Sequence, residues 1–338
     1  MKTKRVGILF GMEDNFPWAL IDAVNHRSEG KVEASKVEIG EVADESVNQY
    51  DLIVDRISHD VPFYRTFVKC AAASGATIIN NPFWWSADDK FLDNLIAKAA
   101  GVAVPKTFLL PHKDHPPNTQ ATSFRNLRFV NWEHVFEHLG FPIFLKPAYG
   151  GGWRDVYKCD DEEEFFSAYD RTRDLCMMAQ EEIDFTEYFR CYVIGRKHVR
   201  IMPYDPRKPF HERYVRDSTP SDETLWKRVE RDSIALCEAL GYDMNTVEFA
   251  VRDGIPYAID FMNPAPDADP FSVGDDNFRW VVDTTADVVI EKVLDPPPFE
   301  ATGTWPLLMR PRKSPQKERA KKKPGASGRK TKATSRKG

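Results

Sequence analysis

Residues 246–264 constrain the fold more than any other part of the chain. Two runs of alternating apolar residues, 247–251 and 257–261, flank the pair Asp253-Gly254. An Asp-Gly pair between two such runs is the strongest short-range signal for a β-hairpin. The sequence therefore predicts an antiparallel hairpin here, and the remainder of the fold has to accommodate it.

The type of turn decides whether Glu248 and Asp260 share a face of this hairpin. A two-residue loop would put them on opposite faces, because side chains alternate along a strand. A type I turn with Gly254 as a G1 bulge pairs residue 251 with 255 and 248 with 258, so both carboxylates share one face. We expect the bulged turn, with Asn263 just beyond the strand. Two carboxylates and an amide oxygen suit Mg²⁺ that carries substrate phosphates. On the hairpin alone, an exposed edge with solvated charges is the favoured alternative.

Composition places the chain among folded globular proteins. Its 338 residues suffice for two or three domains, with 42% hydrophobic and 12% aromatic residues. No run of about 18 apolar residues occurs, so no membrane span is expected. The apolar run at 6–10 is too short for a signal peptide. The five cysteines are scattered and odd in number, which predicts reduced thiols in the cytoplasm.

The charge is divided between an acidic body and a basic end. Residues 311–338 hold twelve Lys and Arg against one acid, a charge of +11. The net charge of the chain is −5, so the other 310 residues carry −16. This division predicts a folded body with a disordered appendage. The appendage could bind nucleic acid or other polyanions non-specifically, or act only as a solubilising extension.

Residues 5–82 alternate between strand and helix patterns. Strands are predicted at 5–10, 37–39, 50–54 and 76–80, with helices at 17–27 and 63–73. This βαβ alternation predicts a parallel sheet whose ligands lie beyond the C-terminal strand ends. Arg56 and His59 follow one such end and could bind an anionic substrate, or could be surface residues of a polar loop.

A phosphate-binding loop is predicted after a strand that ends in Lys146. Gly150, Gly151 and Gly152 follow it, and a second strand resumes at Val156. Three glycines let backbone N–H groups approach a phosphate, and the lysine supplies a charge for it. The pattern is neither a P-loop nor a Rossmann fingerprint. A flexible hairpin tip is the alternative.

The other predicted elements follow in chain order. Helices are expected at 88–100, 132–139, 162–175, 224–240 and 281–294, and strands at 107–110, 176–180, 187–194 and 197–202. Residues 112–122 and 204–216 are predicted loops, and the second of these is rich in Arg, Lys and His.

Taken in this order, the chain resembles the ATP-grasp superfamily, and most closely the branch of glutathione synthetase and ribosomal-protein S6 glutamate ligase. The resemblance covers residues 50–295 and includes Asn80-Asn81-Pro82, Asp89-Lys90 and residues 104–107. It implies an α/β (α+β) fold that holds ATP between two α+β subdomains. A Rossmann-like domain is expected at 1–100, a subdomain with the glycine loop at 101–178, a subdomain with the metal hairpin at 179–300, and the tail at 301–338.

The resemblance also implies roles for particular residues. Those expected at the nucleotide are Lys106 and Lys146 for the phosphates, Gly150, Gly151 and Gly152 for the closing loop, Gln180, Glu181, Glu182 and Ile183 for adenine, and Glu187 for the ribose. Those expected at the metal, Mg²⁺ or Mn²⁺, are Glu248, Asp260 and Asn263. Cationic and polar groups expected at the reacting substrates are Arg190, Arg200, Arg56, His59, Tyr204 and Arg213, with Arg207, Lys208 and His211 as further loop cations.

Two departures from the family pattern concern the metal and the acceptor. The family has Glu-x-Asn, whereas this chain has Asp260-Phe261-Met262-Asn263, one residue longer and with a shorter acid. A local bulge could restore the geometry. Residues 263–267 replace the small-residue loop that usually follows, which indicates an unusual acceptor.

The function implied is an ATP- and Mg-dependent ligase that joins a carboxylate, on a small molecule or peptide, to an amine through an acyl-phosphate. Two alternatives stay open: a kinase of a small hydroxylated substrate, and a non-catalytic nucleotide-binding module. The identity of the substrates is not indicated. A homodimer through a sheet edge or the C-terminal helix is also left open.

Overall fold

The computed structural model describes residues 2–43, 49–83, 89–209, 212–215 and 222–298. Within these residues the strands are β1 Lys4–Leu9, β2 Val32–Lys36, β3 Leu52–Asp55, β4 Thr77–Ile79, β5 Thr107–Leu109, β6 Ile143–Pro147, β7 Tyr157–Cys159, β8 Met177–Glu181, β9 Glu187–Ile194, β10 His198–Pro203, β11 Met244–Arg252 and β12 Ile255–Asp260. The helices are α1 Phe16–Arg27, α2 Pro62–Ala73, α3 Lys90–Ala99, α4 Trp132–Leu139, α5 Glu162–Arg171, α6 Glu223–Leu240, α7 Pro270–Val273 and α8 Asp275–Leu294, with a 3₁₀ turn at Ala121–Phe124. The predicted basic tail and His211 lie outside the described residues.

The N-terminal sheet has the strand order β2-β1-β3-β4 and is parallel throughout. Helices α1 and α8 pack on one face and α2 on the other, so both faces are buried as a parallel sheet requires. The predicted βαβ arrangement is therefore confirmed. The predicted strand at 37–39 is wrong: the second strand is β2, an edge strand with only Val32 and Ala34 buried, whose short alternation gives a weak apolar signal.

The middle sheet is antiparallel, with the order β5-β8-β6-β7. Alternate residues of β6 and β8, among them Ile143, Leu145 and Ala179, enter a core beneath α4 and α5. The residues between them, among them Lys146 and Gln180, face a cavity. The period of two along each strand thus divides the sheet into a packing face and a binding face.

The C-terminal sheet is also antiparallel, with the order β10-β9-β11-β12. Its core face carries Phe189, Val247 and Phe249, which pack against α3 and α6. Helix α6 begins at its cap Asp222, whose side chain accepts from Thr224 N, and ends at Gly241 with a φ of 78°. The opposite face of the sheet supplies the second wall of the cavity.

The predicted hairpin forms as β11 and β12, but its turn differs from the expected one. Asp253 and Gly254 have φ angles of 54° and 68°, a two-residue turn in which Arg252 pairs with Ile255. Positive φ at both central residues is the geometry of a type I′ turn, which matches the strand twist. The predicted G1 bulge is therefore wrong. An irregularity further along leaves Ile259 unpaired, and it brings Asp260 directly opposite Glu248.

Within the described ranges, no helix is long and apolar enough to cross a membrane. All five cysteines are present as free thiols: Cys70 is exposed, Cys176 is half-buried, and Cys159, Cys191 and Cys237 are buried.

Candidate active site

A cavity of about 400 Å³ lies between the binding faces of the middle and C-terminal sheets. Residues of β6, β8, β11 and β12 line it, together with the loop that joins β6 to β7. Each wall is a strand face whose opposite side is anchored in a separate apolar core. Strand positions therefore fix most of the side chains that surround the cavity.

Two carboxylates form one end of the cavity. Glu248 and Asp260 are direct cross-strand partners, so their side chains project from the same face. Asp260 is exposed to the cavity, whereas the side chain of Glu248 is only 17% exposed. Burial and the neighbouring Asp260 raise the pKa of Glu248, while Arg190 opposes that shift. A paired set of carboxylates at the rim of a cavity attracts a cation.

Glu248 is held by two neighbours on β9. The Tyr188 hydroxyl donates to Glu248 Oε2 at 2.6 Å, and Arg190 Nε lies 3.7 Å from Glu248 Oε1. Burial and then the Glu248 charge raise the pKa of Tyr188, which keeps the phenol protonated as a donor. Arg190 Nε is buried and has no hydrogen-bond partner among the described residues. An unused buried N–H of this kind can donate to an anionic group.

Lys146 faces the same carboxylates from the middle sheet. Its Nζ donates to the Ile259 carbonyl at 3.4 Å. Burial lowers the pKa of Lys146 to about 8, although the charge of Asp260 raises it and that of Lys90 lowers it further. A protonated lysine on a cavity wall can bind an anionic group such as a phosphate.

Lys90 lines the cavity near Lys146, whereas the predicted Lys106 does not line it. Lys90 is the first residue of α3, whose cap Asp89 accepts from Phe91 N and Leu92 N, and it lines the cavity. Lys106 instead donates from its Nζ to the His138 carbonyl at 3.1 Å and does not line the cavity. The Asp89-Lys90 pair at a helix start was the available signal, because it places a lysine at a fixed N-terminus.

The glycine loop lies along the open side of the cavity. Gly150, Gly151 and Gly152 all line it, followed by Trp153 and Arg154. The φ angles of Gly150, Gly152 and Trp153 are 85°, 73° and 59°. A Cβ added at any of the three glycines would meet nothing within 4 Å, so the glycines are not required by packing within the protein. Their backbone N–H groups remain accessible to a ligand.

The loop is joined to the start of α3 by one aspartate. Asp89 caps α3 through its Oδ1 and accepts from the Tyr149 hydroxyl at 3.2 Å through its Oδ2. The amide of Lys90 also donates to the Ala148 carbonyl at 3.1 Å. These bonds set the entrance of the glycine loop beside Lys90.

The predicted adenine connector lines the cavity at Gln180, Glu181, Glu182 and Ile183. Phe144, Met178 and Ala250 add apolar surface around it, which suits a flat aromatic base. Several polar groups of the connector already have protein partners. Gln180 Nε2 donates to Thr107 Oγ1 at 2.9 Å, and the amides of Glu181 and Glu182 donate to the carbonyls of Lys106 and Pro142.

Three predicted substrate residues gather beside Glu248 without lining the cavity. Arg190 lies over the ring of Tyr204, with 5.7 Å between Cζ and the ring centroid. Arg213 donates to the Tyr204 hydroxyl at 3.5 Å, and its charge lowers the pKa of Glu248. The pKa of Arg190 is lowered by burial but raised on balance by Tyr214, Glu248 and other neighbours, so its charge is secure.

Other predicted site residues lie away from the cavity. Arg200 donates to Asn277 Oδ1 of α8 at 2.9 Å. Arg56 is buried in an ion pair with Glu13 and donates to the Pro266 carbonyl at 2.7 Å. His59 lies 3.5 Å from Asp60, and Glu187 begins β9 outside the cavity lining. The first two residues join elements of the fold, and none of the four reaches the cavity.

Asn263 is not brought to the two carboxylates. Its Nδ2 donates to Thr246 Oγ1 at 3.0 Å and its backbone amide donates to Asn245 Oδ1 at 2.8 Å. The cavity is lined instead by Met262, two residues after Asp260. Within the described residues no group of three His, Cys, Asp or Glu could hold a metal ion. The carboxylate pair therefore fits Mg²⁺ only where substrate phosphates and water complete the coordination, which is the usual arrangement for that ion.

No family model matches the sequence. Mitochondrial pyruvate carboxylase of Mus musculus is 28% identical over 189 residues, which are 51% of this chain and 15% of that protein. The D-alanine–D-alanine ligase of Bacillus cytotoxicus is 29% identical over 161 residues, which are 42% of this chain and 43% of that protein. The chain thus matches less than half the length of these relatives.

Solved structures match over most of the chain. The D-alanine–D-alanine ligase of Bacillus anthracis, complexed with ATP, has a TM-score of 0.63 at 20% identity and covers 86% of this chain and 98% of that one. An ATP-grasp RimK domain protein from Sphaerobacter thermophilus has a TM-score of 0.58 at 16% identity and covers 86% and 99%. The chain has the ATP-grasp fold. The predicted fold class is thereby confirmed.

The ATP-grasp fold accounts for the position of the cavity. The middle and C-terminal sheets correspond to the two α+β subdomains between which the resemblance placed ATP. The residues predicted to contact phosphate, adenine and metal line the space between these sheets, except Lys106 and Asn263. Arg207, one of the predicted loop cations, also lines this cavity, as do Lys90 and Tyr188, for which the sequence predicted no role.

Proposed function

We propose that this chain is an ATP- and Mg²⁺-dependent ligase that joins a carboxylate to an amine and releases ADP and phosphate. The observation that carries the proposal is the cross-strand pair Glu248 and Asp260 facing Lys146 in a cavity that is also lined by a glycine loop. The D-alanine–D-alanine ligases among the similar proteins support the same class of reaction.

In this proposal the triphosphate lies between Lys146, Lys90 and the glycine loop, and adenine lies in the apolar slot beside residues 180–183. Glu248 and Asp260 hold Mg²⁺ (or Mn²⁺), which when bound neutralises charge on the terminal phosphates. The lysines and loop amides orient the γ-phosphate, so the main contribution of the protein is position and charge.

The chemistry proceeds in two balanced steps. A carboxylate oxygen of the substrate bonds to the γ-phosphorus while the bond to the bridging β–γ oxygen breaks, and ADP leaves with that electron pair. The amine nitrogen then bonds to the acyl carbon, phosphate leaves with the C–O electron pair, and the nitrogen loses a proton. Arg190 lies behind Glu248, outside the cavity lining, and its positive charge offsets at longer range the negative charge that accumulates where carboxylate and phosphate meet.

The remaining features of the proposal rest on the sequence. We propose the domain limits 1–100, 101–178, 179–300 and 301–338, a cytoplasmic location, and a peptide or small-molecule carboxylate as acyl donor. The basic tail is proposed to contact polyanions non-specifically through the twelve Lys and Arg of residues 311–338. We also propose that the chain belongs to the glutathione synthetase branch of the ATP-grasp superfamily.

The first test is calorimetric titration of ATP into the full chain, with and without Mg²⁺. We expect Mg²⁺ to strengthen binding, and Asp260→Ala to remove most of that gain, because a truncated carboxylate leaves one protein ligand for the ion. Arg200→Ala is the matched control, since Arg200 contacts α8 and not the cavity. If ATP affinity changed neither with Mg²⁺ nor with the Asp260→Ala substitution, the hairpin would not be a metal site.

The second test separates the ligase from its two rivals. The full chain is incubated with ATP, candidate carboxylates and hydroxylamine. Hydroxylamine converts an acyl-phosphate to a hydroxamate, which is measured colorimetrically. Hydroxamate formation supports the ligase, and phosphorylation of a hydroxyl without it supports the kinase. Mg-ATP binding without turnover of any acceptor supports a non-catalytic module, an outcome that the displaced Asn263 favours.

A further inference from the structure

Glu248 has a neighbour that sequence patterns did not single out. Tyr188 lies on β9, lines the cavity, and donates its hydroxyl to Glu248 Oε2 at 2.6 Å. We propose that Tyr188 is a positioning residue for the metal site, which holds the Glu248 carboxylate in the orientation that binds Mg²⁺. This inference rests on the proposed function, because it requires Glu248 to be a metal ligand.

The strand register explains why Tyr188 reaches Glu248. Tyr188 pairs across the strands with Ala250, and Arg190 pairs with Glu248. The small Ala250 side chain leaves room for the Tyr188 ring to cross β11 toward its diagonal neighbour, a distance that an aromatic side chain can span. The hydroxyl then meets a carboxylate two residues from its direct partner.

The ring of Tyr188 has little freedom to move. Phe185 packs edge-on against it, with 5.1 Å between ring centroids, and Tyr204 lies 5.9 Å away in a tilted arrangement. The residue is only 8% exposed, so rotation of the ring would require these neighbours to repack. The hydroxyl is thus a fixed donor, unlike one on a surface tyrosine.

The two oxygens of Glu248 face different neighbours. Tyr188 bonds to Oε2 at 2.6 Å, and Arg190 lies 3.7 Å from Oε1 at longer range. One short and one long contact select a single rotation of the carboxylate, whose remaining lone pairs are then free for a cation beside Asp260. Without the hydroxyl, the carboxylate would rotate toward Arg190, and the ion would have to move it back on binding.

The test compares Tyr188→Phe with Tyr169→Phe in the full chain. Tyr169 is also buried, at 5% exposure, and its hydroxyl also donates over 2.6 Å, but to the Pro111 carbonyl in the core of α4 and α5. Each variant loses one buried hydroxyl and one hydrogen bond of equal length. Only one of the two bonds ends on a proposed metal ligand.

The quantity measured is the dissociation constant of ATP with and without Mg²⁺, together with the Mn²⁺ affinity of the ATP complex by electron paramagnetic resonance. Loss of a partner that orients a metal ligand typically weakens metal affinity by 10- to 100-fold. We expect Tyr188→Phe to weaken metal-dependent binding about 10-fold or more and to leave metal-free ATP binding unchanged. Tyr169→Phe should change neither quantity.

A second comparison shows whether Tyr188 acts through Glu248. In the Glu248→Ala background, Tyr188→Phe should cause no further loss of metal-dependent affinity, because the carboxylate it orients is gone. A further tenfold loss there, or metal-dependent binding of Tyr188→Phe equal to wild type, overturns the inference while the ligase proposal stands. Wild-type ATP binding that is indifferent to Mg²⁺ overturns the proposed function itself.

Discussion

The two sides of the cavity differ in how the chain holds them. On the hairpin side, Tyr188 and Glu248 lie on strands whose reverse faces are buried with Phe249 and Val247. On the loop side, Trp153 is 64% exposed and Tyr149 55%, and a Cβ added at any of the three glycines would meet nothing within 4 Å. The difference indicates a division of labour. In the proposed function, the strands would hold the charges for metal and phosphate in fixed positions, and the loop would supply backbone donors that adjust to the ligand.

The largest expected effect on the strand side of the cavity comes from removing the charge of Lys146. Lys146→Met should weaken ATP binding by about 100-fold, because a buried charged partner of the phosphates is lost. The same variant should be more stable than wild type at pH 7. The folded state lowers the pKa of Lys146 from 10.5 to about 8, so protonated Lys146 opposes folding. Because Lys146 also faces the cavity, where solvent screens its charge, we expect the free energy of unfolding to rise by only roughly 1–2 kcal/mol.

Calorimetry and urea unfolding measure these two effects. Lys197→Met is the matched control, because Lys197 forms an ion pair with Glu291 at the surface, 2.6 Å between Nζ and Oε2. That variant should bind ATP as wild type does and lose at most about 1 kcal/mol of stability. If Lys146→Met lost stability as well as ATP affinity, Lys146 would contribute mainly to the folded structure and not to ATP binding.

A change of pH should produce a smaller effect on the same side of the cavity. Phosphate binding requires protonated Lys146, whose pKa of about 8 in the free protein means that it loses its proton as pH rises. ATP affinity should therefore fall about tenfold between pH 7 and pH 9. The stability gap between Lys146→Met and wild type should shrink over the same range, because the unfavourable charge is then absent from the folded wild type. A pH response that persists in Lys146→Met would assign the effect to another group.

The smallest expected effect concerns the loop side. Gly152 has a φ of 73°, whereas Gly151 has an ordinary φ, and an added Cβ meets nothing at either position. Gly152→Ala should weaken ATP binding about fivefold, because the exposed loop relaxes in the free protein and regains the positive φ on binding at a cost of about 1 kcal/mol, and Gly151→Ala should weaken it less. Both variants should unfold within about 0.5 kcal/mol of wild type. Equal losses at the two positions would mean that the Cβ obstructs the phosphate and that backbone conformation matters little.

Much of the fold was predictable because its elements carry strong local signals. Helix α4 and strand β9 have the predicted limits, since Asn131 and Gly140 bound the helix and β9 is a long apolar run. Strand β2 was misplaced because an edge strand with two buried residues barely alternates. The cavity positions of Lys146 and the three glycines also followed from local order along the chain, whereas those of residues 180–183 followed from the resemblance to the ATP-grasp superfamily.

Other site residues were not predictable from local patterns. Lys106 and Arg200 are charged residues on or beside strands, as Lys146 is, yet one contacts the His138 carbonyl and the other contacts Asn277. Which face of a strand meets the cavity depends on the layers that pack against it. Arg56 illustrates the same limit: its position after β3 suggested a substrate role, but the fold encloses it between Glu13 and Pro266.

By itself, the sequence determined that a hairpin forms at Asp253-Gly254, that a lysine strand precedes three glycines, and that the order of these parts is that of the ATP-grasp fold. Those features depend on residue type and on short spacings, which act locally. Only the tertiary structure decided that Ile259 bulges and returns Asp260 to the face of Glu248, and that Tyr188 rather than Asn263 contacts Glu248. The physical reason is that register and side-chain reach are set by the neighbouring strand, which lies about 60 residues away along the chain for Tyr188 and Glu248.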